Sequence, residues 1–389
     1  MKEEILLKRR AVYFIVTMGI VSLFADITYE GARSITGPFF AVLGATGAVV
    51  GIVSGFGEWI GYAFRLLFGY AADKTGKYWT LIFVGYAINV LAVPLLALAG
   101  NWEVAAALII IERFGKAIRS PSKDAILSYA AKPIGRGWGF GIHEAMDQIG
   151  AVIGPLLMAL VLYYKEGYQF GFALLLIPAI LTLLVLFFGW RLLPNPVEME
   201  KIDPKIAIQG LSRPYWIYVA GLCFVAAGFV DFPLIAFHFK KSDVFNPTLI
   251  PILYAVAMGV AGLSSLVMGK VFDAKGISVI FVVTAFTAFS AGFVFLGGFY
   301  AAIMGMLLWG IGLGAQESIM RAFVANLVGL NKRATAYGML NIWFGSAWLA
   351  GSIILGLLYD VNVTYLVIFS VGIQIAALPF FYSLTKGST

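Results

Sequence analysis

The sequence predicts an all-α membrane protein with twelve transmembrane helices in two pseudo-symmetric six-helix bundles. Three observations predict it. Of the 389 residues, 61% are hydrophobic and only 12% are charged. A soluble domain carries about 25% charged residues, so this chain has too little polar surface to face water. The apolar residues run in long continuous blocks of the ~20 residues that a spanning helix needs, without the alternating ten-residue signals of a transmembrane barrel. A charged, glycine-bracketed turn, Gly69-Tyr70-Ala71-Ala72-Asp73-Lys74-Thr75-Gly76-Lys77, returns as Gly269-Lys270-Val271-Phe272-Asp273-Ala274-Lys275-Gly276. Such internal repeats are how many secondary transporters are built.

The apolar segments cover about residues 11–36, 42–70, 78–99, 103–129, 137–163, 168–191, 214–238, 248–270, 277–297, 300–325, 334–359 and 363–384. Lys8-Arg9-Arg10 before the first segment resembles a signal peptide, but no small-residue cleavage site follows and many more spans do. It is read as the start of the first transmembrane helix. Loops are short except over residues 194–213, where Pro194, Pro196 and Pro204 mix with Glu198, Glu200, Lys201, Asp203 and Lys205. That stretch is expected to be a cytoplasmic linker between an N-terminal bundle (1–193) and a C-terminal bundle (214–389). A second echo supports the repeat: Arg136-Gly137-Trp138-Gly139-Phe140-Gly141 is similar to Arg333-Ala334-Thr335-Ala336-Tyr337-Gly338. The 44 glycines lie largely inside spans, where small residues let helices approach closely. The single cysteine, Cys223, cannot form an intramolecular disulfide and reads as a small buried apolar residue.

Basic residues fall on alternate sides of the spans. Lys2, Lys8, Arg9, Arg10, Lys74, Lys77, Lys132, Arg136, Arg191, Lys201, Lys205, Arg213, Lys270, Lys275, Lys332, Arg333 and Lys386 share one side, and Lys165, Lys240 and Lys241 the other. The positive-inside rule places both termini in the cytoplasm, with the chain in the inner or plasma membrane. No basic patch sits on a soluble element, which excludes nucleic acid as a partner and leaves the lipid bilayer.

Ionisable residues within spans are expensive and tend to be functional. Span 1 holds Asp26, Glu30 and Arg33 on one helical face, either as a self-satisfied cluster or as a proton site tuned by Arg33. On span 4, Glu112, Lys116, Arg119 and Lys123 follow a four-three-four spacing and form one stripe. Arg113 lies beside it, and Pro121 is expected to bend the helix. Lys123 and Asp124 are assigned to the inner surface, whereas Arg113 and Arg119 are deep enough to face a central cavity. Span 5 holds His143, Glu144 and Asp147, suited to proton relay near neutral pH or to salt bridges. Two or three ligands on one helix are weak evidence for a metal, and no metal or cofactor is assigned. Glu58 and Arg65 share a face of span 2. In the second half, Asp231 before Phe232-Pro233 predicts a break in span 7, and His238 reads as interfacial. Gln316, Glu317 and Arg321 lie on span 10. Asn341, Trp343 and Trp348 on span 11 line either a pocket or the aromatic belt.

Gly69–Lys77 resembles the loop motif between helices 2 and 3 of the major facilitator superfamily, and lies where that motif belongs. The second copy departs from it at Ala274. Gly141, eight residues, Gly150, three residues and Gly154-Pro155 resemble the family's helix-5 motif, found mainly in proton-coupled exporters, with Met158-Ala159 in place of its final glycine pair. Arg113 occupies the helix-4 arginine position, with Ala117 where a glycine is expected. The resemblance covers essentially the whole chain. It implies a monomer working by alternating access, with a small-molecule site at the midplane between the halves.

It also implies that Gly69, Asp73, Lys74, Gly76 and Lys77 form an inner latch, with Asp273 as the second-half counterpart. Asp73 would face the start of a helix, where an anion is favoured, and Lys74 or Lys77 would reach Asp124. The expected activity is secondary transport, specifically proton-coupled export of a small organic molecule. Protons would use Asp26, Glu30, His143, Glu144 and Asp147. Substrate would use Arg33, Glu58, Arg65, Glu112, Arg113, Lys116, Arg119, Asp231, Gln316, Glu317, Asn341 and Trp343. An organic-anion or phosphorylated-metabolite carrier is the alternative, because Arg grips such groups in bidentate fashion. A non-transporting receptor on the same fold is the alternative from another class. No phosphate loop, His-Glu-x-x-His or nucleophile elbow is present in the sequence, so an enzyme is not expected.

Overall fold

A computed structural model describes residues 2–164, 167–194, 211–328 and 333–386. Most of the expected linker, Lys165 and Lys332 lie outside the described residues, as do the side chains of Arg136, Arg321 and Arg333. The described residues form helices and short connections, with no strand among them. They trace twelve spans. Spans 1 to 5 are Lys2–Val42, Gly47–Thr75, Tyr78–Leu95 with a short continuation, Trp102–Ala131 and Arg136–Tyr163. Span 6 is Tyr168–Leu174 with Leu176–Leu192, and span 7 is Arg213–Gly228 with Phe232–Lys241. Span 8 is Leu249–Lys275, and span 9 is Ser278–Thr287 with Ser290–Leu296. Spans 10 and 11 are Phe299–Leu327 and Arg333–Val361, and span 12 is Val363–Ala376 with Leu378–Lys386. Eleven of these are long and apolar enough to cross a membrane. The twelfth, Trp102–Ala131, has the length with 30 residues, and its interior charges set it apart. The chain is a multi-pass membrane protein.

Span 7 breaks where the sequence predicts. Pro233 has no N–H to give the preceding turn, and the Asp231 carboxylate accepts from Phe232 N–H at 2.9 Å, capping the second piece. The freed carbonyls need partners, because lipid offers none. Gly228 O accepts from Ser370 Oγ (2.6 Å) and Gln374 Nε2 (3.0 Å), and Val230 O accepts from Trp309 Nε1 (2.8 Å). Asp231, expected in the substrate site, is buried, and its carboxylate makes this cap.

The chain packs as two compact units, one of Met1–Arg33 and Ile60–Pro204, the other of Ser34–Trp59 and Lys205–Thr389. In the first, Gly85 and Gly115 bring spans 3 and 4 together. A Cβ on Gly85 would lie 2.6 Å from Arg119 N and 2.8 Å from Gly115 O. Spans 1 and 5 cross at Gly150 and Gly154. A Cβ at Gly150 would meet Leu23 O at 2.5 Å, and one at Gly154 would meet Ile27 O at 2.6 Å and Gly31 N at 2.8 Å. Two glycines of the helix-5 motif are therefore packing residues, while a Cβ on the third, Gly141, would meet nothing within 4 Å.

In the second unit, residues 34–59 join the C-terminal helices. Gly37 packs on Pro233 and Phe237, and Gly47, Gly51 and Gly55 pack on Tyr359, Gly356 and Ser352. The Asp360 carboxylate accepts from Gly47 N–H and Ala48 N–H, each at 2.8 Å, at a helix start that favours an anion. Trp59 Nε1 donates to Ser346 Oγ at 3.2 Å.

The crossing geometry makes a contrast within one motif. Gly154→Ala is expected to overpack the span 1–span 5 contact, at about 1–3 kcal/mol, and to lower the unfolding temperature in detergent. Gly141→Ala is expected to leave that temperature unchanged. Equal melting of the two variants would contradict the crossing described here.

Candidate functional site

The first unit gathers buried charge around span 4. Close approach at Gly85 and Gly115 lets Asn89 of span 3 reach two charged residues of span 4. Asn89 Nδ2 donates to Glu112 Oε1 at 2.6 Å and to Glu112 O at 3.2 Å, and its Oδ1 accepts from Arg119 Nε at 3.2 Å. A carboxylate on one side and a guanidinium on the other leave the amide only one orientation that satisfies both. Glu112 also pairs with Arg113 at 3.2 Å.

Aromatic faces carry the cations. The Arg119 guanidinium lies 4.2 Å from the Tyr86 ring centre. Lys116 and Arg113 lie 3.9 and 5.1 Å from the Tyr29 ring centre. Such contacts strengthen when desolvated, and Arg119 and Tyr86 are both buried. Arg119 is thus fixed through Nε and its flat face, and its two terminal nitrogens make no hydrogen bond among the described residues.

A carboxylate pair sits nearby. The Gly150 crossing places span 5 against Asp26 of span 1, whose Cβ would lie 3.0 Å from a Cβ on Gly150. Asp147 is one turn earlier on span 5. Asp26 lies within electrostatic reach of Asp147, Lys116, Glu30 and Arg119. Asp147 lies within reach of Lys123, His143, Arg119 and Lys116.

A third group lies on the same three helices. Ser22 Oγ and His143 Nε2 are 2.8 Å apart, and Lys123 Nζ lies 3.4 Å from each of them. An ammonium only donates, so Nε2 is the accepting nitrogen, and the proton of a neutral ring sits on Nδ1. This corrects the assignment of Lys123 to the inner surface. Lys123 is buried while Asp124, 4.0 Å from it, is exposed. The charged stripe of span 4 keeps turning towards spans 1 and 5 through its last member instead of leaving the helix bundle.

The sequence profile of the Major Facilitator Superfamily matches residues 12–352. The chain belongs to the major facilitator superfamily. It is 38% identical over 378 residues to an uncharacterised protein of Mycobacterium tuberculosis, covering 95% of this chain and 92% of that one. It is 27% identical over 355 residues to an uncharacterised MFS-type transporter of Methanocaldococcus jannaschii, covering 89% and 88%. Among solved structures, that of the nucleoside transporter NupG superposes with a TM-score of 0.78 at 16% identity, covering 95% of this chain and 99% of that one. At that identity the likeness concerns the fold. As a member of that family the chain is a transporter and not an enzyme.

The family's loop motif can be followed residue by residue. Gly69 is half-buried, and a Cβ there would lie 3.4 Å from Pro121. The Asp73 carboxylate accepts from Tyr78 OH at 2.8 Å, inside its own unit. Lys74 sits 5.9 Å from the Tyr70 ring centre. Neither Lys74 nor Lys77 pairs with Asp124 among the described residues. Gly76 (φ +67°) and Gly276 (φ +61°) end their helices alike, each N–H donating to a carbonyl four residues back, Ala72 O and Phe272 O. Only glycine takes that left-handed turn at little cost. Asp273 is exposed.

The remaining expected residues scatter. Glu30 is buried and Arg33 half-buried. Glu144 is exposed, with Gln148 Nε2 donating to it at 3.4 Å. Glu58 groups with residues 34–59, while Arg65, 5.4 Å from the Tyr62 ring centre, belongs to the other unit. Gln316 is buried, Asn341 half-buried, and Glu317 and Trp343 exposed. His238 is buried against Tyr359 OH at 3.2 Å, so the interfacial reading is corrected. Asn89, Tyr29, Tyr86 and Ser22 went unread in the sequence. Asn89 alone left a signal, as an amide inside the otherwise apolar span 3.

The Asn89 bridge predicts a coupled loss. Asn89→Leu leaves Glu112 and Arg119 each short of a buried partner, at about 1–3 kcal/mol, and lowers the melting temperature. In a double-mutant cycle with Arg119→Leu, the two changes are expected to be non-additive by about 1 kcal/mol. Additive effects would show that the bridge carries no energy.

Proposed function

We propose that this chain is a secondary transporter of the plasma membrane, with cytoplasmic termini, that moves a small organic anion together with protons. One observation carries the reading. Arg119 is held by Asn89 and Tyr86 while its terminal nitrogens make no hydrogen bond among the described residues. A fixed guanidinium fork matches a carboxylate or phosphate. Lys116 and Arg113 stand on Tyr29 on the same helix, Arg113 paired with Glu112.

The sign of coupling follows from charge. Asp26 and Asp147 both lie within electrostatic reach of Arg119. Protonating either removes a negative charge near the anion, so the anion binds more tightly to the protonated protein. Linkage is reciprocal, so a bound anion also favours the proton. Ligands that favour each other travel together, and an inward proton gradient then drives uptake. Asp26 and Asp147 are the primary coupling carboxylates, with Glu30 beside Asp26. His143 accepts from Ser22 and Lys123 and is the positioning partner. The inner turn of Asp73 to Lys77 acts as a conformational latch outside the substrate site.

A second reading rests on the helix-5 motif, which resembles that of proton-coupled exporters. A cationic substrate would compete with protons for Asp26 and Asp147, and competition produces antiport. The two readings differ in the sign of the pH effect on binding.

The test uses protein in liposomes, loaded with labelled organic anions or lipophilic cations. For the anion reading, Arg119→Lys is expected to weaken binding about tenfold or more, since Lys cannot reproduce the bidentate fork. Asp26→Asn is expected to preserve anion exchange and abolish accumulation driven by a pH gradient. Cation binding that strengthens with rising pH would replace this reading with the exporter. Clear binding with no flux in any gradient would indicate a receptor. Separately, Asp73→Asn is expected to slow transport while leaving substrate affinity nearly intact, measured by comparing initial rates with equilibrium binding.

A further inference from the structure

Lys123 is a buried ammonium without a close partner. Its contacts to Ser22 Oγ, His143 Nε2 and Asp124 Oδ1 are 3.4, 3.4 and 4.0 Å. Charge-assisted N–H···O bonds are normally about 2.7–2.9 Å, and burying an ion costs several kcal/mol unless it is well paired. No shorter contact to Lys123 occurs among the described residues. The ammonium is therefore held by long contacts, with Asp147 within electrostatic reach but no hydrogen bond to a carboxylate among the described residues.

A second orphan lies beside it. Tyr86 is fully buried, and its hydroxyl has no hydrogen-bond partner among the described residues. The Tyr86 side chain lies within electrostatic reach of both Arg119 and Lys123. Its ring supports Arg119, so the hydroxyl marks a place close to both cations. Arg119 and Lys123 are four residues apart on one face of span 4, about 6 Å along the axis. Three donors, namely the Arg119 fork, the Tyr86 hydroxyl and the Lys123 ammonium, thus stand near one another with unused capacity.

We infer that Lys123 and Tyr86 form a second anion locus one helical turn from Arg119, and that the transported substrate is a dianion. Arg119 takes one charged group and Lys123, with Tyr86 OH, takes the other. A dicarboxylate would divide its two carboxylates between them, and a phosphomonoester would set one doubly charged phosphate between Arg119 and Lys123. His143 and Ser22 hold Lys123 in the empty state and are replaced by the ligand as its near partners. This inference rests on the anion reading of Arg119.

The experiment measures binding to the full chain in nanodiscs, at one pH, with two matched probe pairs. Succinate is compared with monomethyl succinate, and glycerol phosphate with its methyl phosphodiester. Each pair keeps a skeleton and changes the charge. The doubly charged member of one pair is expected to bind about 10- to 100-fold more tightly, the range of one hydrogen bond to a charged group. Which pair responds identifies dicarboxylate or phosphomonoester.

Lys123→Gln is expected to remove that preference and change monomethyl succinate binding less than twofold. Tyr86→Phe keeps the ring under Arg119 and is expected to lower dianion affinity severalfold. It serves as the readout if Lys123→Gln does not fold. Equal weakening of both members of a pair would mean that Lys123 only balances Asp147, and would overturn the inference. Equal binding of succinate and its monoester by the unaltered protein would overturn it too, with the anion reading intact as long as Arg119→Lys weakens both. Binding of neither pair, or binding indifferent to Arg119→Lys, would remove the anion reading itself.

Discussion

Asn89 sits between a carboxylate and a guanidinium that share a helix at membrane depth, and the rest of the first unit's site depends on that bridge. Glu112 and Arg119 are seven residues apart on span 4 and cannot meet directly across two turns without distortion. One amide serves both, donating to Glu112 and accepting from Arg119. It reaches them because Gly85 and Gly115 remove the side chains that would hold spans 3 and 4 apart. Small residues and buried charge are thus one design: close backbone approach allows a short polar side chain to satisfy groups that lipid would leave bare. With Arg119 fixed at Nε and laid on Tyr86, its other nitrogens stay pointed and available.

The two units solve the same problem of polar groups in lipid by different means. The first keeps an unbroken span 1 and concentrates charge on spans 1, 4 and 5. The second breaks span 7 and satisfies the exposed backbone with neutral donors, Ser370, Gln374 and Trp309. Around that break, Phe229 stacks on Trp309 at 5.5 Å and Phe232 on Tyr254 at 4.0 Å. A duplicated scaffold has therefore kept its turns, ended alike by Gly76 and Gly276, while its interiors have diverged.

Much of the fold was legible because hydropathy and repetition are signals along a line. The spans, the break before Phe232-Pro233 and the repeated turn all belong to that class. The stripe of Glu112, Lys116, Arg119 and Lys123 was legible as a face. The burial of its last member was not, because a helical spacing does not say which neighbours crowd around a residue. Tyr29 and Tyr86 carry the cations, yet an aromatic in an apolar span looks the same whether it packs or supports charge. Asn89 stood out in span 3, but its partners on span 4 depend on a crossing that only two glycines at the right height permit. His238 failed for the opposite reason: proximity to a helix end suggested an interface, and Phe295 and Tyr359 enclose it.

The bonds from Gly47 and Ala48 to Asp360 join residues 313 and 312 positions apart. At a synthesis rate of about 5–20 residues per second, the start of span 2 waits roughly 15–60 s for its partner. Through that interval the glycine row of Gly47, Gly51 and Gly55 and two bare amide groups at the helix start lie in the membrane without Gly356, Ser352 or the Asp360 carboxylate. The nascent first half is thus a surface with a vacancy, and the eleventh span closes it late in synthesis. A chain truncated before that span would keep all the charges of the first unit and still present an open seam to the quality-control machinery of the membrane.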